Sequence, residues 1–253
     1  NTRAERVSGL TLENGQVIAA DAVLSAMSAP QALLNLLGAY ALSVEQTHQL
    51  KNLRHRGNVA KVHFAINGDI HIPGLASAYQ SSRVVIAPSS EAVDMAFNPV
   101  KYQQCANDLV MELHIPSVLD QSLAPPQHHV VSAIVPFVPY ESSDLNTLRD
   151  EVIQKTIAAI EKVVPQISSQ IVASECLLPK DIESQFNMPK GHWHHTELAI
   201  DQSLMLRPIP RLAQFRGPVE GLWMCGASTH PGGGIHGQSA QLAVDAILQD
   251  KRS

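Results

Sequence analysis

The chain has 253 residues, of which 45% are hydrophobic, 16% charged and 4% aromatic, and its formal net charge is -5. The hydrophobic fraction excludes wholesale disorder and suffices for a large core, arranged as one large domain or two smaller ones. The mild acidity leaves no basic surplus to neutralise phosphates, so nucleic acid is not an expected partner.

Residue 1 is Asn and not Met, which suggests a piece of something longer. The three cysteines, Cys105, Cys176 and Cys225, are far apart and form no Cys-x-x-Cys pair. A disulfide framework is therefore not expected, and a reducing cytoplasm is the default location. No positively charged start followed by an apolar block marks a signal peptide. Residues 22–44 carry no charge. They include Ser25, Ser28, Pro30, Gln31, Asn35 and Gly38, however, and read better as a buried strand and a short helix than as a membrane span.

In chain order, the start reads as a hairpin. Val7, Leu10 and Leu12 are apolar, Asn14-Gly15 would supply the two positive φ angles of a type I′ turn, and Val17-Ile18 returns. Ala22 to Ser25 is a short buried strand. Pro30 then opens a helix with Leu33, Leu34, Leu36 and Leu37 on its apolar side, stopped by Gly38. Strands are predicted over 59–66, 84–87, 109–115, 130–137 and 171–178. In the first, Val62, Phe64 and Ile66 face one way and Lys61, His63 and Ala65 the other. The clearest helix follows the N-cap Asp144, carries Leu148, Val152, Ile160 and Val164 at helical spacing, and ends at Pro165. No internal repeat or low-complexity tract appears.

The C-terminal region is the most specific. Gly221 to Gly226 is a short apolar strand, Ala227 to Gly237 is a glycine-rich loop, and Gln238 to Gln249 is a helix with a broad apolar face. Glycines let a backbone approach a ligand closely, and a helix N-terminus behind the loop offers N–H groups to an electron-rich group. The loop lacks the Gly-Lys-Ser/Thr of a Walker A motif. From spacing alone, a flexible turn before a terminal helix competes almost equally with a ligand site.

The run Cys225-Gly-Ala-Ser-Thr-His-Pro-Gly-Gly-Gly-Ile-His-Gly237 resembles the C-terminal flavin motif of the phytoene desaturase-like FAD-dependent oxidoreductases. Residues 7–28 resemble that family's segment re-entering the FAD domain. Gly191-His-Trp-His-His195, with Leu198 to Gln202 and Leu206-Arg-Pro208, is similar to the subgroup holding pyridine nucleotide-disulfide oxidoreductase domain 2 proteins. Gly217 to Trp223 resembles the family's run-in to its last strand. These stretches cover about a third of the chain, in the family's order. The resemblance implies an α+β / α/β fold, with a mixed-sheet substrate domain at residues 38–214 and an incomplete Rossmann-like FAD-binding domain at residues 1–37 and 215–253. It implies cofactor contacts from Gly226 and Ala227, and from His230, Pro231, Gly232, Gly233, Gly234, Ile235 and Gly237 around the flavin ring. Ala227 stands where many related flavoproteins carry an acidic residue, so no carboxylate contact to the ribityl chain is assigned.

One departure matters. No Gly-x-Gly-x-x-Gly turn between strand and helix occurs in residues 1–60, so the site for the ADP half of FAD is missing. The chain thus resembles the C-terminal portion of an enzyme that transfers a hydride from an apolar small-molecule substrate to flavin, and alone it should bind FAD weakly or not at all. Three alternatives stay open: an amine-oxidising flavoenzyme, a non-catalytic flavoprotein-like interaction module, and a self-sufficient domain binding a phosphate ligand at the loop. The resemblance also admits peripheral membrane contact, and exposed sheet edges admit a homodimer. No pattern fixes a catalytic residue; His195 and His236 are the candidates, each weighed against a histidine satisfied by its surroundings. The clusters His192/His194/His195 and His128/His129 lack zinc-site spacing, and no metal is expected. Arg207 and Arg211 are expected in salt bridges, and Cys225 in packing.

Overall fold

The two ends of the chain fold together in the computed structural model, which describes residues 2–3 and 5–250. One compact unit comprises Asn1–Arg56 with His192–Ser253; the other is Gly57–Gly191.

The first unit opens with β1 (Thr2–Arg3) and β2 (Arg6–Val7), paired antiparallel, then β3 (Gly9–Thr11) and β4 (Val17–Ala19), which form the predicted hairpin. Its turn differs from the expected type I′. Gly15 alone adopts positive φ, at 84°, while Asn14 accepts a hydrogen bond from Gln16 N on its side-chain Oδ1 at 3.0 Å. Leu12 N donates to Gln16 O and Gly15 N to Leu12 O, both at 2.9 Å, so residues 12–16 form the connection. A single left-handed glycine after a tight turn serves this longer loop, where a two-residue turn needs two. Next come β5 (Val23–Ser25), a π-helix at Gln31–Gly38 and α1 (Val44–Lys51). The sequence spacing suggested an ordinary helix after Pro30. The wider π turn instead buries Ala32 and Leu33 and leaves Leu36 exposed, with Gly38 at φ 98° ending it as predicted. Ser43 caps α1: its Oγ accepts from Gln46 N at 3.1 Å, and its own N–H donates to Gln46 Oε1 at 2.9 Å, a reciprocal capping box.

The second unit carries β6 (Val59–Asn67), β7 (Val84–Ile86), α2 (Ser90–Ala96), β8 (Met111–His114), β9 (His128–Pro136), α3 (Leu145–Glu161), α4 (Ile167–Gln170), β10 (Ile171–Leu177) and α5 (Pro179–Phe186). Five of these strands form one sheet in the order β10-β6-β9-β8-β7, every pair antiparallel. Val62, Phe64 and Ile66 are buried, whereas Lys61 and His63 are half-buried and Ala65 is exposed. That is the alternation read from the sequence. Register puts Val62 opposite Ala133 and Phe64 opposite Val131, so β9 contributes the same face to the core. Asp144 caps α3, accepting from Asn146 N at 2.9 Å and Thr147 N at 3.2 Å, and the helix lays Leu148, Val152 and Ile160 into that core.

The chain then returns to the first unit with β11 (Leu222–Met224) and α6 (Gln238–Asp250). β11 pairs parallel to β5, with Leu222 opposite Val23 and Met224 opposite Ser25. The fold is thus the mixed α and β type expected, but the sheet expected to be mixed in the substrate domain is antiparallel throughout, and the parallel strand pairing lies in the first unit. Residues 38–56 and 192–214, read from sequence with the substrate domain, cluster with the chain ends. The reason is a shared core: Leu50, Ile209 and Leu212 pack with Val7, Ala29, Leu33, Leu222 and Met224. A cavity of about 380 Å³ lies in this unit beside β5, lined by Val23, Leu24, Ala32, Leu36, Leu37 and Leu222. Among the described residues no helix is long and apolar enough to cross a membrane.

Candidate functional site

The glycine loop starts where two strands end side by side. Cys225 N donates to Ser25 O at 2.8 Å, continuing the β5–β11 pairing, and Gly226 then turns the chain at φ 87°. A Cβ at Gly226 would lie 2.9 Å from Ala26 O, so only glycine lets the loop leave so close to the end of β5. Thr229, fully buried, closes the first turn: its N–H and its Oγ1 both donate to Gly226 O, at 3.1 and 3.0 Å. Gly232 N donates to Thr229 O at 2.7 Å, and Ser239 Oγ of α6 donates to the same carbonyl at 3.5 Å.

The loop's inner side rests on residues 194–207. Arg207 is 1% exposed, and among the described residues no carboxylate pairs with it. Its Nε donates to Ala227 O at 2.8 Å, Nη1 to Glu197 O at 3.0 Å and Gln202 O at 3.1 Å, and Nη2 to His194 O at 2.6 Å and Thr196 O at 3.5 Å. Five carbonyl dipoles take the place of a counter-ion. Burial lowers the guanidinium pKa to about 10. The expected salt bridge is therefore absent at Arg207, whereas Arg211 approaches Glu45 at 4.0 Å on the exposed surface. A second clamp ties this segment to residues 54–56. Arg54 Nε donates to Glu197 at 2.8 Å, and Nη1 and Nη2 donate to Asp201 at 2.8 and 2.6 Å. Arg54 N also donates to Gln202 Oε1 at 2.8 Å, and Arg56 N to Glu197 Oε1 at 3.0 Å.

The predicted cofactor residues divide by what surrounds them. A Cβ at Gly233 would sit 1.7 Å from His194 Nδ1, and one at Gly232 would sit 3.0 Å from Leu198 Cδ2. These two glycines, with Gly226, serve packing inside the protein. By contrast a Cβ at Gly237 meets nothing within 4 Å; Gly234, Ile235 and Gly237 are all exposed, but a Cβ at Gly234 would lie 2.7 Å from Cδ2 of the His236 ring. His230 and Pro231 are half-buried, and His230 Nδ1 has no hydrogen-bond partner among the described residues. Ala227 points its carbonyl at Arg207.

The two candidate catalytic histidines lie in different settings. His236 is exposed, and its Nδ1 accepts from Gln238 N at 3.0 Å, which caps the start of α6. His195 is half-buried, sits in the left-handed region at φ 67°, and places Nδ1 3.2 Å from Ser228 Oγ in the loop. Its pKa falls to about 4, chiefly through burial and secondarily through the charges of Arg207, His194 and His55. His192, buried with its Nε2 donating to Arg56 O at 3.1 Å, is lowered to about 4 for the same main reason. The other histidine pair belongs to the second unit, where His129 Nδ1 meets Ser117 Oγ at 2.9 Å and His128 Nδ1 donates to Pro126 O at 2.9 Å. No group of three or more His, Cys, Asp or Glu among the described residues is arranged to hold a metal. The three cysteines are free and buried, and burial raises the Cys225 thiol.

Sequence reasoning missed Ser228 and the roles of Glu197, Gln202 and Arg54. Gln202 is 5% exposed, and a buried polar side chain in a turn-rich, charged stretch carries no distinctive local pattern.

The arrangement is a loop with a locked inner face and an open outer backbone, ahead of a helix N-terminus. Comparison with known proteins adds its kinship. The chain is 28% identical over 267 residues to pyridine nucleotide-disulfide oxidoreductase domain-containing protein 2 of Mus musculus, covering 98% of this chain and 45% of that protein. It is 28% identical over 255 residues to the lycopene-forming phytoene desaturase of Pantoea ananas, covering 98% and 49%. Among solved structures, it shares its fold with an oxidoreductase from Methanosarcina mazei, at a TM-score of 0.55 and 15% identity, covering 98% of this chain and 47% of that one. The chain spans about half the length of the curated relatives it matches. Residues 2–248 match the family described as flavin containing amine oxidoreductase, and the chain belongs to that family.

Proposed function

We propose that the chain is the C-terminal portion of an FAD-dependent oxidoreductase, that the loop from Gly226 to Gly237 lines the flavin, and that the intact protein takes a hydride from an apolar substrate. The observation carrying this reading is the two-sided loop. Its inner glycines are filled by Ala26, Leu198 and His194, while Gly237 faces open space ahead of α6. An electron-rich ring can approach the outer backbone there without meeting a Cβ. Bound flavin would supply the hydride-accepting chemistry. This chain's part is to hold the loop rigid through Arg207 and Thr229, and to offer backbone N–H groups where charge accumulates on reduction. Family membership supports the flavin, and the phytoene desaturases among the relatives support an apolar substrate. The family's description favours one second reading, in which an amine is the hydride source.

The missing Gly-x-Gly-x-x-Gly turn, together with coverage of only 45% to 49% of those relatives, supports a site that grips the ring end of FAD and lacks the seat for its ADP end. Titration of the purified chain with FAD and with FMN, followed by flavin fluorescence, tests this. Comparable weak affinities are expected, with no flavin retained through gel filtration. Stoichiometric bound FAD, or a strong preference for FAD over FMN, would overturn the reading.

A further inference from the structure

Ser228 and His195 meet at the root of the glycine loop. Ser228 is 1% exposed, and its Oγ has two neighbours, Ala29 N at 2.8 Å and His195 Nδ1 at 3.2 Å. The Ala29 N–H can only donate, so it occupies one lone pair of Oγ. The single hydroxyl proton then needs an acceptor, and the one within reach among the described residues is Nδ1. Were Nδ1 protonated, two N–H groups would aim at one oxygen and the serine proton would be buried without a partner. His195 is held against this oxygen by its own backbone, whose N–H donates to His192 O at 2.7 Å.

We propose that Ser228 is a positioning residue that locks His195 in one neutral tautomer, bare at Nδ1 and protonated at Nε2. His195 is then a fixed hydrogen-bond donor at Nε2, and its remaining lone pair, on Nδ1, is engaged by the Ser228 hydroxyl and is not offered to a ligand. The groups around it agree. The guanidinium of Arg207 and the rings of His194 and His55 all oppose added positive charge on this ring. A ligand atom suited to Nε2 is an acceptor, such as a carbonyl oxygen or an unprotonated ring nitrogen, and a substrate ammonium is refused. The step from donor to ligand rests on the flavin reading above; the tautomer does not.

The test is a two-bond proton–nitrogen NMR correlation on the 253-residue chain labelled with ¹⁵N-histidine, near pH 7 and without flavin, with His195→Gln identifying the signals. The wild type should show a bare Nδ1 and a protonated Nε2 at His195. Ser228→Ala should cut the tautomer ratio by roughly tenfold, the factor carried by one ordinary hydrogen bond. If Ser228→Ala does not fold, the near-isosteric Ser228→Cys, a weak donor, is read the same way. A protonated Nδ1 in the wild type overturns the proposal. So does a tautomer ratio that loss of the serine hydroxyl leaves unchanged, because another group would then set it. Since no flavin enters this measurement, its failure leaves the cofactor reading intact, and failure of the flavin titration leaves the tautomer intact.

Discussion

Arg207 shows how a charge can be buried without a counter-ion. Each of its three guanidinium nitrogens ends on a backbone carbonyl, and those carbonyls belong to His194, Thr196, Glu197, Gln202 and Ala227. Replacing it by Ala would strand several buried acceptors at once. We expect Arg207→Ala to destabilise the unit built from the chain ends by about 3 kcal/mol or more, and Arg207→Lys to recover only part, since one ammonium cannot span the same fork. Urea denaturation followed by tryptophan fluorescence reads this cleanly, because Trp193 and Trp223 are the chain's two tryptophans and both lie in that unit. The glycines give a second contrast. Gly233→Ala must push the His194 ring aside, whereas Gly237→Ala meets open space and bears only the strain of a left-handed backbone at φ 67°, about 1 kcal/mol. The same denaturation series should rank Gly233→Ala well above Gly237→Ala. The glycines and the Arg-Pro pair were visible in the sequence. What held them was not, because carbonyl partners leave no residue signature.

Elements were legible where their hydrophobic period was long. Val62, Phe64 and Ile66 announce β6 by alternation, and Asp144 with Leu148 and Val152 announces α3. Short elements carried no such period: local hydrogen bonds within residues 12–16 set the exposed turn, and burial set the π-helix. The turn at Asn14-Gly15 opened to the longer form, and the helix after Pro30 widened to a π-helix that seats Ala32 and Leu33 against the core shared with Leu50 and Leu222. The His192–His195 segment carries a pH consequence that belongs to this scale. His192 and His195 titrate near 4 in the folded chain and near 6.5 when unfolded. The unfolded state therefore takes up protons first as pH falls. Stability is full above about pH 6.5, declines between about 6.5 and 4, and levels off below 4. Between pH 7 and pH 5 a loss on the order of 4 kcal/mol is expected, about half from each histidine. Urea midpoints at the two pH values check it, and His192→Asn should reduce the difference.

For the molecule as a whole, the sequence carried the family and the strand, glycine loop, helix order of the C-terminal region, while the structure supplied the division of labour. Residues 38–56 and 192–214 join the chain ends because Leu50, Ile209 and Leu212 complete their core. No local pattern in those stretches reveals that, since the partners are far away in sequence. The proposed placing of this loop as the ring-side half of a flavin site is tested most directly by adding FMN to the ¹⁵N-labelled chain and following backbone amide shifts. Saturable shifts are expected, concentrated at residues 226–237 and the first turn of α6, with smaller ones at His195. Saturable binding that leaves the loop amides unmoved would contradict it.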